Sequence, residues 1–184
     1  MAALPAVLTA GSVQLRCWIP SFAEAMLVAI EESFAELEQW MDWAQEVPTV
    51  GGLPEVLRQG ELNSDSDRGW DGDYTIFVAE SDDVMGGVGL HRTEDPGKFE
   101  ISYWVRTSQT RRGVATLAAR TVISAASAGL ESARQIMMRM DQANLASASV
   151  AQKLGFALHA QVAQRIAAAG HTGRGYVWTL DLPG

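Results

Sequence analysis

The chain has 184 residues, of which 47% are hydrophobic and 20% are charged, a balance typical of one packed globular domain. Its formal net charge of −8 argues against a general nucleic-acid binder, because such proteins neutralise phosphates with lysine and arginine. An acidic surface suits cationic partners such as amines. The single cysteine, Cys17, excludes an internal disulfide and favours a reducing compartment. Because there is no signal-like leader and no apolar stretch of about 18 residues, we expect a cytoplasmic protein without a membrane partner.

The first half of the chain predicts a strand, a helical region and then three more strands. Val13–Ile19 alternates apolar and polar side chains, as a strand does. Ser21 and Glu24 have the spacing of a capping box at the start of a helical region, Ala23–Trp43, which we expect to break near Glu32–Phe34. A short helix and three strands separated by turn residues follow, at Leu53–Gln59, Tyr74–Glu80, Val84–His91 and Phe99–Arg106.

The second half alternates helices and strands. In chain order the predicted elements are a helix, a strand, a helix and two strands, at Arg112–Ala128, Gln135–Met140, Leu145–Leu154, Phe156–Ile166 and Tyr176–Leu182. This order predicts an α+β fold with a single mixed, mostly antiparallel sheet flanked by helices. We expect residues 1–184 to form one domain.

The stretch Thr110–Thr116 leaves a strand and opens a helix. A helix N-terminus presents unpaired N–H groups and partial positive charge, which makes it a natural phosphate seat. Gly113 and Ala115 have little side chain to block a ligand, and Arg111 and Arg112 add positive charge. On these residues alone, an ordinary basic loop is the more common explanation of the pattern.

The region from Glu100 to Phe156 resembles the GNAT superfamily of N-acetyltransferases, most closely its RimJ/RimL-like branch. Its first motif is Glu-Ile-Ser-Tyr-Trp-Val, where the branch has Glu-Ile-Gly-Tyr-Trp-Leu. The Thr110 stretch then matches Gln/Arg-x-x-Gly-x-Gly/Ala, and the third motif places Asn144 three residues before Ser147 and eleven before Gly-Phe. Two departures are Ser102, in place of glycine, and Thr110, which we expect to weaken cofactor binding without abolishing it.

This resemblance implies a GNAT fold whose sheet is splayed between the fourth and fifth predicted strands, with acetyl-CoA bound at the splay. The backbone of Trp104 and Val105 would pair with the pantetheine arm, as an added strand does. The side chain of Asn144 would hydrogen-bond the pantetheine, and that of Ser147 would reach the sulfur. The alternative for both is a plain helix-capping role. The residues implied at the pyrophosphate are Arg111, Arg112, Gly113, Val114, Ala115 and Thr116.

Acetyl transfer to an amine needs a donor for the developing oxyanion, an acid for the thiolate and a route for the amine proton. The Val105 N–H is the implied oxyanion donor, and Ser147 is the implied acid. Glu100 matches a strand glutamate that acts as the base in several relatives. The late-strand glutamate of RimL has no equivalent, because Gln161–Ala169 contains no acid. His91 is the alternative base, although a lone histidine at a strand end is more often structural.

The predicted activity is therefore acetyl transfer from acetyl-CoA to a primary amine in a ternary complex. The acceptor is a protein N-terminal α-amine or a small amine, such as an aminoacyl compound or an antibiotic. The alternative is a non-catalytic acyl-CoA sensor, which Thr110 and the missing late-strand acid favour and which Asn144 and Ser147 oppose. A homodimer is left open, and no nucleic-acid partner is expected.

Three further groups of residues bear on a possible metal site and on the acceptor site. The three histidines have no metal-ligand spacing, so no metal is expected. The tryptophans that fall where the acceptor would be covered are Trp40, Trp43 and Trp70. An acidic stretch forms either a solvated loop or a lip that attracts a cationic acceptor, and its members are Glu61, Asp65, Asp67, Asp71 and Asp73.

Overall fold

A computed structural model of the chain describes residues 4–64, 71–79 and 81–183. Over these ranges, eight strands form one sheet, and four α-helices lie against it. The strands are β1 (Val7–Ala10), β2 (Val13–Cys17), β3 (Gly72–Val78), β4 (Val84–Arg92), β5 (Lys98–Val105), β6 (Gln135–Asp141), β7 (Ala157–Ala163) and β8 (Arg174–Asp181). The helices are α1 (Ala23–Trp40), α2 (Leu53–Ser64), α3 (Val114–Gly129) and α4 (Leu145–Lys153).

The strand order across the sheet is β1-β2-β3-β4-β5-β6-β8-β7. Neighbouring strands are antiparallel except β5 and β6, which are parallel because α3 crosses over between them. The predicted mixed, mostly antiparallel sheet flanked by helices is confirmed.

Helices cover the two faces of the sheet differently. On one face, α3 places small residues directly on the strands, among them Ala118, Ala119 and Ala126, each 0% exposed. Alanine leaves little bulk between helix and sheet, so the backbones approach closely. On the opposite face, α1 and α2 pack with Phe77 and Trp104 in a second apolar cluster. That second face is where the cavity described below opens.

The parallel ladder between β5 and β6 is short. It pairs three residues of each strand and ends at Glu100 and Met137, although β5 continues to Val105 and β6 to Asp141. Beyond this point the two strands separate, and α4 begins just after β6. The predicted splay between the strands at Phe99–Arg106 and Gln135–Met140 is confirmed.

Helix α1 differs from its prediction in three ways. It is one helix of 18 residues, because Ser33 does not break it: the Ser33 Oγ donates to the Ala29 carbonyl at 2.6 Å. The capping box is absent, since Ser21 lies in a 3₁₀ turn and the N-cap residue is Phe22 without a side-chain cap. The helix also ends at Trp40, not at Trp43.

Other boundaries shift by smaller amounts. The edge strand β1 has no counterpart among the predicted elements, and α2 continues five residues beyond the predicted end at Gln59. Helix α3 begins at Val114 instead of Arg112, because Arg111 and Gly113 both have positive φ and cannot belong to a helix. No described helix is long and apolar enough to cross a membrane.

Candidate active site

The turn before α3 leaves a run of backbone amides without partners. Arg111 has φ of +60° and Gly113 has φ of +80°, which turns successive N–H groups toward one side of the chain. Gly113 is the N-cap residue and supplies no side chain to cap the helix. From Arg111 to Thr116, no backbone N–H donates to an acceptor in the described ranges. Apart from its chain neighbours, no atom of the described residues lies within 4 Å of the position that a Cβ on Gly113 would take. The free amides of this turn can bind an anion. The sequence predicted the pyrophosphate in the same region.

Contacts from α1 hold the segment 106–108, which leads into this turn. The Arg106 Nε donates to Glu32 Oε2 at 2.6 Å, and the Ser108 N–H donates to Glu32 Oε1 at 3.1 Å. These bonds hold the pKa of Glu32 down at about 2. The Thr107 N–H donates to Ser33 Oγ at 3.0 Å, and the Thr107 hydroxyl donates to Glu36 Oε2 at 2.9 Å. Sequence reasoning missed these links, since the acids of α1 resemble an ordinary solvated helix face.

The free edge of β5 faces the splay. The Arg106 N–H donates to the Met85 carbonyl, on the β4 side, at 2.8 Å. Because successive N–H groups of a strand alternate in direction, the Val105 N–H points to the opposite edge, which β6 has left. The Trp104 side chain is 8% exposed and meets the Trp43 ring edge-on, with centroids 6.4 Å apart. The edge is therefore a template for one more strand-like ligand.

The N-terminus of α4 lies across the splay from this edge. Asn144 is the N-cap residue, and its Oδ1 accepts a hydrogen bond from the Ser147 N–H at 3.0 Å. The side-chain carbonyl oxygen of Asn144 therefore caps the helix. Ser147 is half-buried, and both residues line the same cavity.

A cavity of about 1030 Å³ extends from the splay to the far ends of α1 and β4. Its floor on the sheet is made of small residues, Gly87, Gly89 and Ser102. Its walls are largely apolar and include Trp18, Met26, Trp40, Met41, Trp43, Leu53 and Trp104. The structure brings the predicted Trp40 and Trp43 to this cavity. Trp70, Asp65 and Asp67 lie outside the described residues.

His91 is held between two carboxylates at the edge of the cavity. Its Nδ1 is 2.9 Å from Asp71 Oδ1, and its Nε2 is 3.3 Å from Asp73 Oδ1. The hydrogen bond to Asp73 is the main cause that raises the pKa of His91 to about 9, against the opposing effect of burial. Gly89 makes this pair feasible, because a Cβ there would lie 2.4 Å from the His91 Nε2. Asp71 and Asp73 therefore bind a histidine, which neither the predicted solvated loop nor the predicted acidic lip included.

Glu100 faces the cavity from the neighbouring strand. It is the direct cross-strand partner of His91 in the β4–β5 ladder, so the two side chains lie on one face of the sheet. The Arg139 Nε is 3.4 Å from Glu100 Oε2. The two predicted base candidates are thus neighbours in one charged cluster with Arg139.

The loop between β7 and β8 closes the far end of the cavity. The Gly170 N–H donates to the Gln39 carbonyl at 2.9 Å, and the His171 Nε2 is 3.3 Å from the Trp40 carbonyl, so the loop rests on the end of α1. The residues that this loop contributes to the lining are Gln164, Arg165, Ala167 and His171. No carboxylate is among them, in agreement with the sequence of this segment.

Asp141 anchors the other side of that loop. Its side chain accepts hydrogen bonds from the Thr172 N–H at 2.7 Å, the Gln164 Nε2 at 2.8 Å and the Ala143 N–H at 2.9 Å. Burial raises its pKa, but the bonds from Ala143 and Thr172 outweigh this effect and hold the pKa below the usual value. Asp141 joins the turn before α4 to the loop over the acceptor end, a role that sequence reasoning did not assign.

The chain matches the family model described as the acetyltransferase (GNAT) domain over residues 13–157. This match covers most of the chain, and the protein belongs to the GNAT acetyltransferase family. No curated protein matches the sequence. The predictions of a GNAT-family protein, of an acetyl-CoA-dependent N-acetyltransferase and of acetyl-CoA as its cofactor are confirmed. The predicted likeness to the RimJ/RimL-like branch agrees with the fold that the chain shares with RimL.

Solved structures with the same fold include RimL, a ribosomal-protein α-N-acetyltransferase in complex with coenzyme A. The two chains share 19% identity with a TM-score of 0.85, and 96% of this chain covers 98% of that one. A microcin self-immunity acetyltransferase with acetyl-CoA and AMP gives 14% identity, a TM-score of 0.83 and 94% coverage of both chains. An acetyltransferase from Salmonella typhimurium that modifies the N-terminal serine of a ribosomal protein gives 17% identity, a TM-score of 0.81 and coverage of 96% and 99%.

Proposed function

We propose that this enzyme acetylates a weakly basic primary amine, either the α-amine of a protein N-terminus or that of a small aminoacyl compound, by direct transfer in a ternary complex. The observation that carries the proposal is one continuous cavity of about 1030 Å³. One end has the free edge of β5 and the N-terminus of α4, and the other has tryptophans and carboxylates. A molecule bound at one end can therefore meet a second molecule bound at the other.

The residues present fit acetyl-CoA. The unpaired amides before α3 form a seat for a pyrophosphate, with Arg111 and Arg112 adding positive charge. The open edge of β5 at Trp104 and Val105 offers backbone groups to the amides of a pantetheine arm. The Asn144 side chain still has its NH₂ group to donate, because only its carbonyl oxygen serves the cap.

The chemistry of transfer then divides among a few groups. Acetyl-CoA supplies an acetyl group activated as a thioester. The Val105 N–H faces the splay and stabilises negative charge on a carbonyl oxygen placed there. Ser147 Oγ donates a proton to the departing sulfur. The amine loses one proton while the sulfur gains one, so the transfer consumes no proton overall.

The proton of the acceptor amine goes to Glu100 or to solvent. A neutral imidazole has one N–H, but both nitrogens of His91 face a carboxylate, so His91 is a cation at neutral pH. A cation accepts no further proton, which removes His91 from the role of base. An α-amine has a reference pKa of about 8, so roughly a tenth of it is already neutral at pH 7 and a weak base suffices.

The apolar walls favour an acceptor with a flat or apolar group beside its amine. Trp40, Trp43 and Trp104 provide ring surfaces on which such a group can pack. A small aminoacyl compound fits this lining as well as a peptide terminus does. The structural neighbours include a ribosomal-protein α-N-acetyltransferase and a microcin self-immunity acetyltransferase solved with acetyl-CoA and AMP.

The test is release of free thiol from acetyl-CoA with a panel of amines, followed by mass spectrometry of the acceptor. The panel contains peptides with free and blocked N-termini, aminoacyl compounds, aminoglycosides and lysine side-chain amines. We expect release with α-amines and little with lysine side chains at pH 7. Binding of acetyl-CoA without release by any amine would contradict the proposal and favour a sensor.

A further inference from the structure

The hydroxyl of Tyr103 is a buried polar group that the steps above leave without a role. Tyr103 lies on β5 beyond Glu100, where the ladder with β6 has ended. Its side chain packs with the core on the α3 side of the sheet, whereas Trp104 packs on the α1 side. The Oη atom is shielded from solvent and meets no partner at hydrogen-bonding geometry among the described residues. An unpaired buried hydroxyl costs free energy, so a hydrogen bond formed during function would recover that cost.

Ser147 is the polar side chain beside that hydroxyl. Burial raises the pKa of Tyr103 to about 12, and the nearby Ser147 side chain offsets part of the rise. The cap by Asn144 fixes the Ser147 backbone N–H but leaves its Oγ proton free to rotate. A freely rotating hydroxyl spends part of its time pointing away from the cavity. A second donor aimed at Oγ would remove that freedom.

We propose that Tyr103 is a positioning residue for acetyl transfer: its hydroxyl donates a hydrogen bond to Ser147 Oγ and thereby directs the Ser147 proton toward the sulfur of coenzyme A. The inference rests on the proposed role of Ser147 in the function above. Tyr103 keeps its own proton throughout, because burial disfavours the phenolate. A hydroxyl oxygen that receives a hydrogen bond becomes a stronger donor, so Tyr103 also strengthens the bond from Ser147 to the sulfur. The Oη atom itself is shielded from solvent, so Tyr103 acts on the sulfur through Ser147.

The first measurement is a double-mutant cycle on turnover. Tyr103→Phe should lower kcat roughly 3- to 10-fold, the scale of one hydrogen bond, with an unchanged KM for acetyl-CoA. Ser147→Ala should lower kcat roughly 10- to 100-fold, the lower range for a positioned acid. The double variant should be no slower than Ser147→Ala alone, because Tyr103 acts only through Ser147. Tyr176→Phe, a half-buried tyrosine on β8 away from the cavity, is the matched control and should retain the parent kcat.

The second measurement is binding of free coenzyme A by calorimetry at pH 7 and at pH 10, on either side of a typical thiol pKa of about 8.5. The parent should bind more tightly at the higher pH, because the thiolate is the better acceptor for the directed proton. Tyr103→Phe should lose most of that pH dependence. Acetyl-CoA has no ionisable thiol and should show the same small pH effect with every variant.

The outcomes separate the inference from the function on which it rests. If Ser147→Ala changes neither kcat nor the pH dependence of binding, the role of Ser147 is wrong and the inference fails with it. If Ser147→Ala changes both and Tyr103→Phe changes neither, only the inference is overturned. A double variant slower than Ser147→Ala by the full Tyr103→Phe factor, or a lowered melting temperature that accounts for the loss, also overturns it.

Discussion

Two carboxylates hold His91 from either side, and this arrangement fixes the charge that an incoming amine meets. With His91 protonated and Arg139 beside Glu100, the three carboxylates Asp71, Asp73 and Glu100 exceed the two cations by one, so the acceptor end keeps a net negative charge. Such a cluster attracts an ammonium group, and Glu100 pairs with Arg139 and not with His91. The histidine is better understood as part of acceptor binding than as the base.

A pH–rate comparison of Glu100→Gln and His91→Asn tests this assignment. Glu100→Gln should lower kcat at pH 7 roughly 10- to 100-fold and recover in part at pH 8, where more of the amine is neutral without help. His91→Asn should depress turnover about equally at both values, because His91 stays mostly protonated up to pH 8 and the substitution removes charge balance and not a base. Recovery at pH 8 by His91→Asn, and not by Glu100→Gln, would reverse the two roles.

The same histidine predicts a pH dependence of stability. A pKa raised from 6.5 to about 9 means that the His91 contribution is fully present below pH 6.5 and is lost as the pH rises through 9. The melting temperature of the parent should therefore exceed that of His91→Asn at pH 6 and converge with it near pH 10. A difference that grows with pH would show that His91 is neutral in the folded protein.

At the scale of elements, the segment that leads into α3 is held by α1. The sequence predicted a break in this helix near Glu32–Phe34. The polar run Glu31-Glu32-Ser33 weakens the apolar pattern of α1 and resembles a helix end. In the fold, Glu32 and Ser33 bond to the 3₁₀ turn Thr107–Gln109 and its flanking Arg106, a contact across more than 70 residues. The local sequence pattern does not show so distant a partner. The polar run that makes the contact was therefore interpreted as a break in the helix.

Glu32→Gln tests whether this link positions the anion seat. The variant loses the charge partner of Arg106, so the turn should become less ordered and the Kd for acetyl-CoA should rise roughly 3- to 10-fold, as for loss of about one hydrogen bond. Glu55→Gln is the matched control, because Glu55 also pairs with an arginine, Arg58, but on α2 and away from the turn. Calorimetry on both variants checks this, and an equal effect of the two would contradict a positioning role.

Gly113→Glu tests the anion seat itself. The substitution places an anion at the unpaired amides and should abolish measurable binding of acetyl-CoA. Because Gly113 has φ of +80°, the side chain also strains the backbone, and a control must share that strain. Gly155, with φ of +85° and no atom within 4 Å of its Cβ position, lies at the far end of α4. Gly155→Glu should lose a similar amount of stability yet bind acetyl-CoA as the parent does, and equal binding losses would refute the assignment.

At the scale of the molecule, the sequence predicted the second half better than the first. Apolar periodicity and glycine stops located α3, β6, α4 and β8 to within two residues, since each packs one face on a single core. The acceptor end combines α1, the segment before α2 and the β7–β8 loop, which meet only in the fold. The position of the Tyr103 hydroxyl beside Ser147 and the pairing of His91 with two aspartates likewise depend on tertiary contacts. Motifs of the local chain thus predicted the elements around the splay, and the arrangement of the acceptor end required the structure.

Asp141 joins these two ends, and Asp141→Asn tests their coupling. An asparagine cannot accept all the bonds from Thr172, Gln164 and Ala143, so both the loop and the turn before Asn144 should loosen. We expect a lower free energy of unfolding, by about 1–3 kcal/mol, and higher KM values for acetyl-CoA and the acceptor together. Asp181→Asn, which removes an exposed carboxylate with one bond from Gln135, is the control and should change neither.

The free energy of unfolding that Asp141→Asn loses should depend on pH in a definite direction. The folded pKa of Asp141 is lowered, so its stabilisation is complete above the unfolded value of about 3.9 and disappears as the pH falls through the folded value. Urea unfolding of the parent and of Asp141→Asn should therefore differ by a constant amount between pH 5 and pH 7, and the difference should narrow only below pH 4. A change in one KM alone would mean that the two ends of the cavity are held independently, because a shared anchor must act on both.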